Sequence, residues 1–149
     1  MSTAYSLAIS NFIKRKGMSI ITEDESVLDD PESYFCISLD QDMDIFITLQ
    51  NNNTIVLFTF TAELKQLNMR QAFGLTLEAL TLNNFKWRSP VQFFLDEDKT
   101  RLISWCSLPL ANGEVDKIET KFDALARVNK KLRKSFNIHD ALYKGEFCA

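Results

Sequence analysis

Residues 45–60 read IFITLQNNNTIVLFTF, two short apolar runs on either side of three asparagines. Asparagine tolerates positive φ better than most residues, so the run 51–53 predicts the turn of a β-hairpin. The second strand of this hairpin, Thr54–Phe60, carries large apolar side chains on both of its faces. Such a strand needs other side chains packed against each of its two faces. We expect one set to come from the chain's own helices and the other from a partner.

The flanking sequence supplies the remaining elements of the fold. Helical spacing of apolar residues predicts three helices, at Thr3–Lys16, Asn68–Leu82 and Glu114–Phe136. Alternating patterns predict further strands at Tyr34–Leu39, Asp44–Gln50, Val91–Asp96 and Thr100–Leu108. Short turns between strands imply antiparallel pairing. The order αβββαββα predicts an α+β fold with a twisted antiparallel sheet packed by helices, in one domain over 1–149 whose tail, 138–149, is poorly patterned.

Composition excludes several classes of protein. The chain has 149 residues, 46% of them hydrophobic, which is typical of a globular domain. Its net charge of −3 argues against nucleic acid as a partner. No apolar run approaches the roughly 20 residues that span a bilayer, so we expect no membrane insertion. The N-terminal segment places its cations after the apolar part, the reverse of a secretory signal, and we expect a cytoplasmic protein.

The sequence contains no clear catalytic, metal-binding or cofactor-binding motif. Cys36, Cys106 and Cys148 are far apart, and His139 is the only histidine, so neither a structural zinc site nor a catalytic pair is expected. Free, buried thiols are the simplest interpretation. The run 96–98 resembles a fragment of a calcium loop but lacks its glycine and distal glutamate. No phosphate-binding or dinucleotide-binding motif occurs. We therefore expect no enzyme, no cofactor and no metal.

The second predicted helix is apolar on opposed sides. One side carries Met69, Phe73, Thr76, Leu77 and Leu80, and nearly the opposite side carries Leu75 and Leu82, with Ala79 between them. Because a helix of this kind needs two covers, we expect its own sheet on one side and a second subunit on the other. The predicted homodimer interface consists of Leu75, Ala79 and Leu82, together with Phe94 from the adjoining strand.

The hairpin's two faces are expected to differ in the same way. We expect the chain's own helices to cover the side chains of Ile45, Ile47, Leu49, Ile55 and Leu57. The other face then carries Phe46, Phe58 and Phe60, with Phe35 or Ile37 from the first strand. Phe12 or Ile13 extends this patch, and the outer edge of the first strand is open to an incoming strand. Alternatively, the first or third helix simply covers these aromatics.

The pattern resembles the single-effector chaperones of bacterial type III secretion, the Tir-chaperone-like class I family. The resemblance spans about Tyr5–Phe136. It is carried by the helix end KRKGM, the strands YFCISLD and DIFITLQNNNTIVLFTF, the helix NMRQAFGLTLEALTLNNF, and the run VQFFLDEDKTRLISWCSLPLANGEVDKIETKFDAL. In that run, a hairpin ends in LPL and a short polar turn leads into a helix that begins with acidic residues. The connection 18–33 is longer than is usual in the family, and the second helix lacks a glycine-rich segment.

This resemblance implies a function. A cytoplasmic homodimer would bind an unfolded N-terminal segment of a secreted effector and keep it soluble and competent for secretion, and the aromatic patch would be its effector-binding site. Two alternatives stay open. YbjN-like proteins, non-enzymatic regulators, share the fold, and an immunity-type protein would be equally small and acidic but would bind a folded toxin.

Overall fold

The computed structural model describes residues 3–16, 34–39, 43–84, 90–98, 100–112 and 114–138. The helices are α1 (Thr3–Lys16), α2 (Met69–Asn84) and α3 (Val115–Ser135), and the strands are β1 (Tyr34–Leu39), β2 (Met43–Gln50), β3 (Thr54–Glu63), β4 (Gln92–Leu95) and β5 (Arg101–Pro109). Short 3-10 turns follow β3 and β5. The predicted order αβββαββα is confirmed. The connection 18–33, His139, Cys148 and the tail 139–149 lie outside the described residues.

The asparagine turn forms the hairpin that its sequence predicts. Asn51 and Asn52 have φ angles of 53° and 60°, in the left-handed region that asparagine tolerates. The backbone N–H of Asn53 donates to the carbonyl of Gln50 at 3.2 Å, and Gln50 lies opposite Thr54. The turn therefore sets the register of β2 against β3.

The five strands form one antiparallel sheet in the order β1-β2-β3-β5-β4. β1 and β4 are the edge strands. β3 is three residues longer than the sequence predicts, because the register with β5 shifts between Phe60 and Ala62 and pairing then continues to Glu63. This shift is a β-bulge, which gives β3 one more residue than its partner.

All three described helices pack on one face of the sheet, which we call the inner face. The five side chains predicted to lie there are buried, with none more than 3% exposed: Ile45, Ile47, Leu49, Ile55 and Leu57. Buried residues of α1 and α3 complete this core, among them Tyr5, Ile9, Phe12, Ile118, Phe122, Leu125 and Leu132. The prediction for the inner face of the hairpin is therefore confirmed.

Contacts between α1 and α3 hold the two helices together across the core. The rings of Phe12 and Phe122 lie 5.1 Å apart. At the surface, Arg15 pairs with Asp116 and Glu119, and Lys16 with Asp123. Because these ions are partly exposed, each pair contributes little stability, about 0–1 kcal/mol. The acidic start of α3 is thus matched by the basic end of α1.

A buried polar cluster joins α3 to the centre of the sheet. The side chains of Thr61, Ser104 and Asn129 are fully buried and hydrogen-bonded to one another. Thr61 Oγ1 lies 2.7 Å from Asn129 Oδ1 and 3.0 Å from Ser104 Oγ, and Asn129 Nδ2 donates to Ser104 Oγ at 2.7 Å. Asn129 also donates to the Leu125 carbonyl. Asn129 interrupts the apolar stripe of α3 because it is the polar partner of two strands.

The rotation of α2 about its axis differs from the sequence prediction. Leu75 and Ala79 are fully buried in the chain's own core, and Leu82 packs against that core. Leu75 and Ala79 are therefore not available to a second subunit, and their assignment to the dimer interface is wrong. Leu82 is half-buried, and its assignment stays a prediction. Contacts on either side of the buried face fix this rotation. Asn83 exchanges two 2.7 Å hydrogen bonds with the backbone of Phe93, and Gln71 donates to the carbonyl of Phe136.

Two local features support this placement of α2. Asn68 and Gln71 form a reciprocal capping box, in which each side chain accepts a hydrogen bond from the other's backbone N–H. Gly74 lies against the ring of Phe136, where a Cβ atom would approach a ring carbon to 2.6 Å. The missing side chain at Gly74 lets α2 and the end of α3 come this close.

Replacing Asn129 tests the buried polar cluster. Asn129→Ala should lower the free energy of unfolding by about 1–3 kcal/mol, because it leaves buried hydroxyl groups without their partner. Urea unfolding measures this loss. Arg127→Ala, at an exposed position of the same helix, is the control and should change the free energy by no more than about 0.5 kcal/mol. Equal effects of the two substitutions would contradict a stabilising role for the cluster.

Candidate functional site

The face of the sheet turned away from the three described helices, which we call the outer face, is rich in aromatic side chains. One row of directly paired residues crosses all five strands: Cys36, Phe46, Phe58, Trp105 and Gln92. Beside it, Phe60 pairs with Ile103, which pairs with Phe94. The strict alternation of side chains along a strand places these residues together.

Phe46, Phe58 and Phe60 form a cluster that we call the aromatic patch. Phe46 and Phe58 are stacked with ring centroids 5.0 Å apart, and Phe60 meets Phe46 edge-on at 5.7 Å. The guanidinium carbon of Arg101 lies 5.3 Å from the centre of the Phe60 ring, within the range of a cation–π contact. Phe46 is only 3% exposed, whereas Phe58 and Phe60 are half-buried. The structure thus brings together three of the seven side chains predicted to form the binding patch.

The other four predicted patch residues lie on the inner side. Phe35 pairs with Ile47 and Ile37 with Ile45, and this register places both β1 side chains in the core. Phe12 is fully buried in the same core, and Ile13 packs against it. The assignment of Phe12, Ile13, Phe35 and Ile37 to the patch is therefore wrong. In β1, it is Cys36 that joins the outer face.

A groove lies beside the aromatic patch, towards β4. It has a volume of about 310 Å³ and is lined by Gln50, Val56, Phe58, Phe94, Ile103 and Trp105. Phe94 lines this groove and is 47% exposed, and its predicted place in a dimer interface stays a prediction. We call this cavity the outer groove. None of the described residues that line it is charged, so its chemistry suits an apolar group of a binding partner.

The sequence contained a signal for the outer groove. In β5, Ile103, Trp105 and Ser107 alternate with Leu102, Ser104, Cys106 and Leu108, so the first set shares one face. What the sequence did not show is which strand pairs with β5. Because β3 pairs with β5, Trp105 lies opposite Phe58, and the groove forms between residues nearly 50 positions apart.

The described residues offer little for catalysis. They contain no group of three or more His, Cys, Asp or Glu side chains that could hold a metal ion. Burial raises the pKa of the Cys106 thiol to about 12, so this side chain is a protonated thiol and a poor nucleophile at neutral pH. Cys36 is disulfide-bonded, so the expectation of free thiols is wrong for this residue. Among the described helices, none is long and apolar enough to cross a membrane.

The acidic hairpin turn after β4 has a structural role. Asp96 accepts hydrogen bonds from the backbone N–H groups of Thr100 and Arg101 and pairs with the Arg101 guanidinium at 2.8 Å. Desolvation acts to raise the pKa of this carboxyl, but these bonds outweigh it and hold the pKa below its usual value. Asp96 therefore closes a turn, in agreement with the interpretation of this segment as a polar hairpin.

α2 presents a second apolar surface. Met69, Phe73, Leu77 and Leu80 follow one another along one side of the helix and are 87%, 70%, 54% and 55% exposed. We call these four residues the α2 stripe. Helical spacing predicts this grouping, but the predicted cover by the sheet is wrong, because all four side chains are exposed. Large apolar side chains with this exposure are typical of an interaction surface.

Comparison with solved structures identifies the fold. A chain of the ExsC–ExsE complex superimposes with a TM-score of 0.70 at 14% identity, covering 90% of this chain and 94% of its own length. A chain of the complex between the Yersinia pestis type III secretion chaperone SycH and a fragment of YscM2 gives 0.62 at 17% identity, covering 86% and 98%. A chain of the ExoU–SpcU complex, from the type III secretion system of Pseudomonas aeruginosa, gives 0.60 at 14%, covering 82% and 92%.

No protein-family model matches the sequence, and no curated protein matches it. At these low identities the structural likeness establishes the fold. The predicted α+β class and the resemblance to the fold of type III secretion chaperones are therefore confirmed.

Two substitutions test whether the outer face is buried at Phe46 and exposed at Phe94. Phe46→Ala should cost roughly 3–5 kcal/mol of unfolding free energy, because it empties a buried site. Phe94→Ala should cost about 1 kcal/mol or less, because half of the ring is already in water. Urea unfolding measures both. Similar losses for the two variants would show that Phe94 belongs to the core.

Proposed function

We propose that this chain is a cytoplasmic type III secretion chaperone. It binds an unfolded N-terminal segment of a secreted effector and keeps that segment soluble and competent for secretion. The observation that carries the proposal is the outer groove, an apolar and accessible cavity on a sheet whose fold is that of secretion chaperones.

The groove's chemistry supports an apolar segment as its ligand. Val56, Phe58 and Trp105 are half-buried and about half of Phe94 is exposed, so a bound chain would remove aromatic surface from water. Among the described residues of the groove, Gln50 is polar but neutral, so the bound segment needs no charged side chain at this site. A protein that acts in this way needs neither cofactor nor metal, and we propose that it is not an enzyme.

The position of the groove indicates how a segment would bind. The groove extends from Phe94 of β4 across β5 and β3 to Gln50 of β2, so one end of it lies at the edge strand β4. An extended segment that adds to this edge would form main-chain hydrogen bonds and place alternate side chains above the groove. This position favours the β4 edge over the β1 edge that the sequence analysis expected.

The chaperone is proposed to be a homodimer through the α2 stripe. The stripe replaces Leu75 and Ala79 as the α2 contribution to the interface, because it carries the apolar side chains that the chain's own core leaves exposed. A two-fold interface would pack the stripe of one subunit against that of another. This arrangement leaves the outer groove of each subunit available to an effector.

Site-specific photocrosslinking tests the effector site. We expect p-benzoylphenylalanine in place of Phe94, in the cells that make this protein, to crosslink to one secreted protein within its N-terminal segment. Leu7 is the matched control position, because it is an exposed apolar residue on α1, at 61% exposure. Crosslinks to a folded domain would support the immunity-type alternative instead. Equal products from the two positions, or none, would contradict the proposed site.

The identified segment then allows a quantitative test. Phe94→Asp should weaken its binding by at least about tenfold, because a central aromatic anchor contributes upwards of about 1.4 kcal/mol. Leu7→Asp should leave the affinity unchanged. Isothermal titration calorimetry with the purified segment measures both.

A charge in the α2 stripe tests the dimer. Light scattering at micromolar concentration should give about twice the chain mass of 17.2 kDa for the natural sequence. Phe73→Asp should give the monomer mass while the chain stays folded by circular dichroism, because Phe73 is 70% exposed in the single subunit and lies outside its core. Leu7→Asp again serves as the control and should remain dimeric. A monomeric natural protein would contradict the proposed interface without affecting the crosslinking test.

A further inference from the structure

The β-bulge in β3 lies at the border of the aromatic patch. Phe60 pairs with Ile103 and Ala62 with Leu102, so Thr61 is the additional residue. Thr61 and Ala62 are both buried, and together they lie opposite Leu102, as in a bulge that places two residues of one strand against one of its partner. The bulge therefore begins directly after Phe60, the β3 residue of the aromatic patch nearest to it.

Arg133 reaches this bulge from the opposite side of the sheet. It belongs to α3, is only 8% exposed, and donates from Nη2 to the carbonyl of Phe60 at 3.0 Å and from Nε to the carbonyl of Thr61 at 3.2 Å. A bulge interrupts the hydrogen-bond ladder, and buried carbonyls need donors. The planar guanidinium supplies two donors in a fixed geometry, which a lysine cannot do.

The side chain of the bulge residue is held by the same helix. Thr61 Oγ1 bonds to Asn129, one helical turn before Arg133. Backbone and side chain of the bulge are thus both tied to α3. The additional residue has no freedom to move along the strand unless these bonds break.

We infer that Arg133 is a positioning residue for the aromatic patch. By holding the carbonyls of Phe60 and Thr61 from the inner side, it fixes the Phe60 ring edge-on to Phe46 and Phe58 on the outer face. The Phe60 ring lies against Phe58, which lines the outer groove, so a consequence for effector binding follows and rests on the proposed function. The positioning itself is a property of the free chain and is testable without a partner.

Fluorine NMR on the free, full-length chain tests this inference. 4-Fluorophenylalanine is placed at position 60, or at position 12 in the core as the reference reporter. In Arg133→Met, the resonance from position 60 should shift or split into several lines, whereas that from position 12 should stay unchanged. Arg127→Met, at an exposed position of α3, should change neither. Circular dichroism confirms that each variant is folded at the temperature of measurement.

Arg133→Lys keeps a positive charge but loses the two guanidinium donors held in a fixed geometry. It should therefore shift or split the resonance from position 60 in the same way. This variant decides the question if Arg133→Met does not fold. An unchanged resonance from position 60 in a folded variant would overturn the inference. Equal changes at positions 12 and 60 would also overturn it, because they would show a general loosening of the fold.

Binding of the effector segment identified by crosslinking provides a second, separate readout. If Arg133 acts through Phe60, then Phe60→Ala and the double variant Phe60→Ala/Arg133→Met should bind that segment with the same reduced affinity. Additive losses would show that Arg133 acts by another route. If no segment binds at all, the proposed function fails, while the fluorine experiment still decides the role of Arg133.

Discussion

The pairing of β2 with β3 determines the rest of the structure. Phe46 lies opposite Phe58 and Ile47 opposite Leu57, so one face of the hairpin is aromatic and the other aliphatic. Side chains alternate with a period of two, and a slip of one residue would move every one of them to the other face. The left-handed conformations of Asn51 and Asn52 prevent that slip by fixing the length of the turn. The helices then pack on the aliphatic face.

This local constraint explains what the sequence could predict. A turn and the two strands beside it are encoded within 16 residues, so the burial of Ile45 and its four companions followed from alternation alone. The same reasoning fails in β1, where Phe35, Cys36 and Ile37 are apolar in succession. Only the register with β2 decides which of them faces the helices, and the β1 sequence does not contain that register.

Helix α2 and the polar cluster were unpredictable for a related reason. Both sides of α2 are apolar. Contacts of Asn83 with Phe93 and of Gly74 with Phe136 determine which side is buried. Asn129 likewise has partners 68 and 25 residues away, at Thr61 and Ser104. Each choice depends on segments that meet only in the folded chain. Sequence patterns therefore identified the candidate surfaces of this protein more readily than they identified which surface stays exposed.

The outer groove itself places a limit on the kind of partner it can hold. Burying the exposed half of the Phe94 ring removes roughly 100 Å² from water, or about 2.5 kcal/mol. Association costs at least about 4 kcal/mol, so one such anchor does not hold a rigid partner. Hydrogen bonds along the β4 edge would supply the difference. An extended segment that binds as proposed brings unpaired backbone groups to this edge, whereas a folded partner has already paired most of its own.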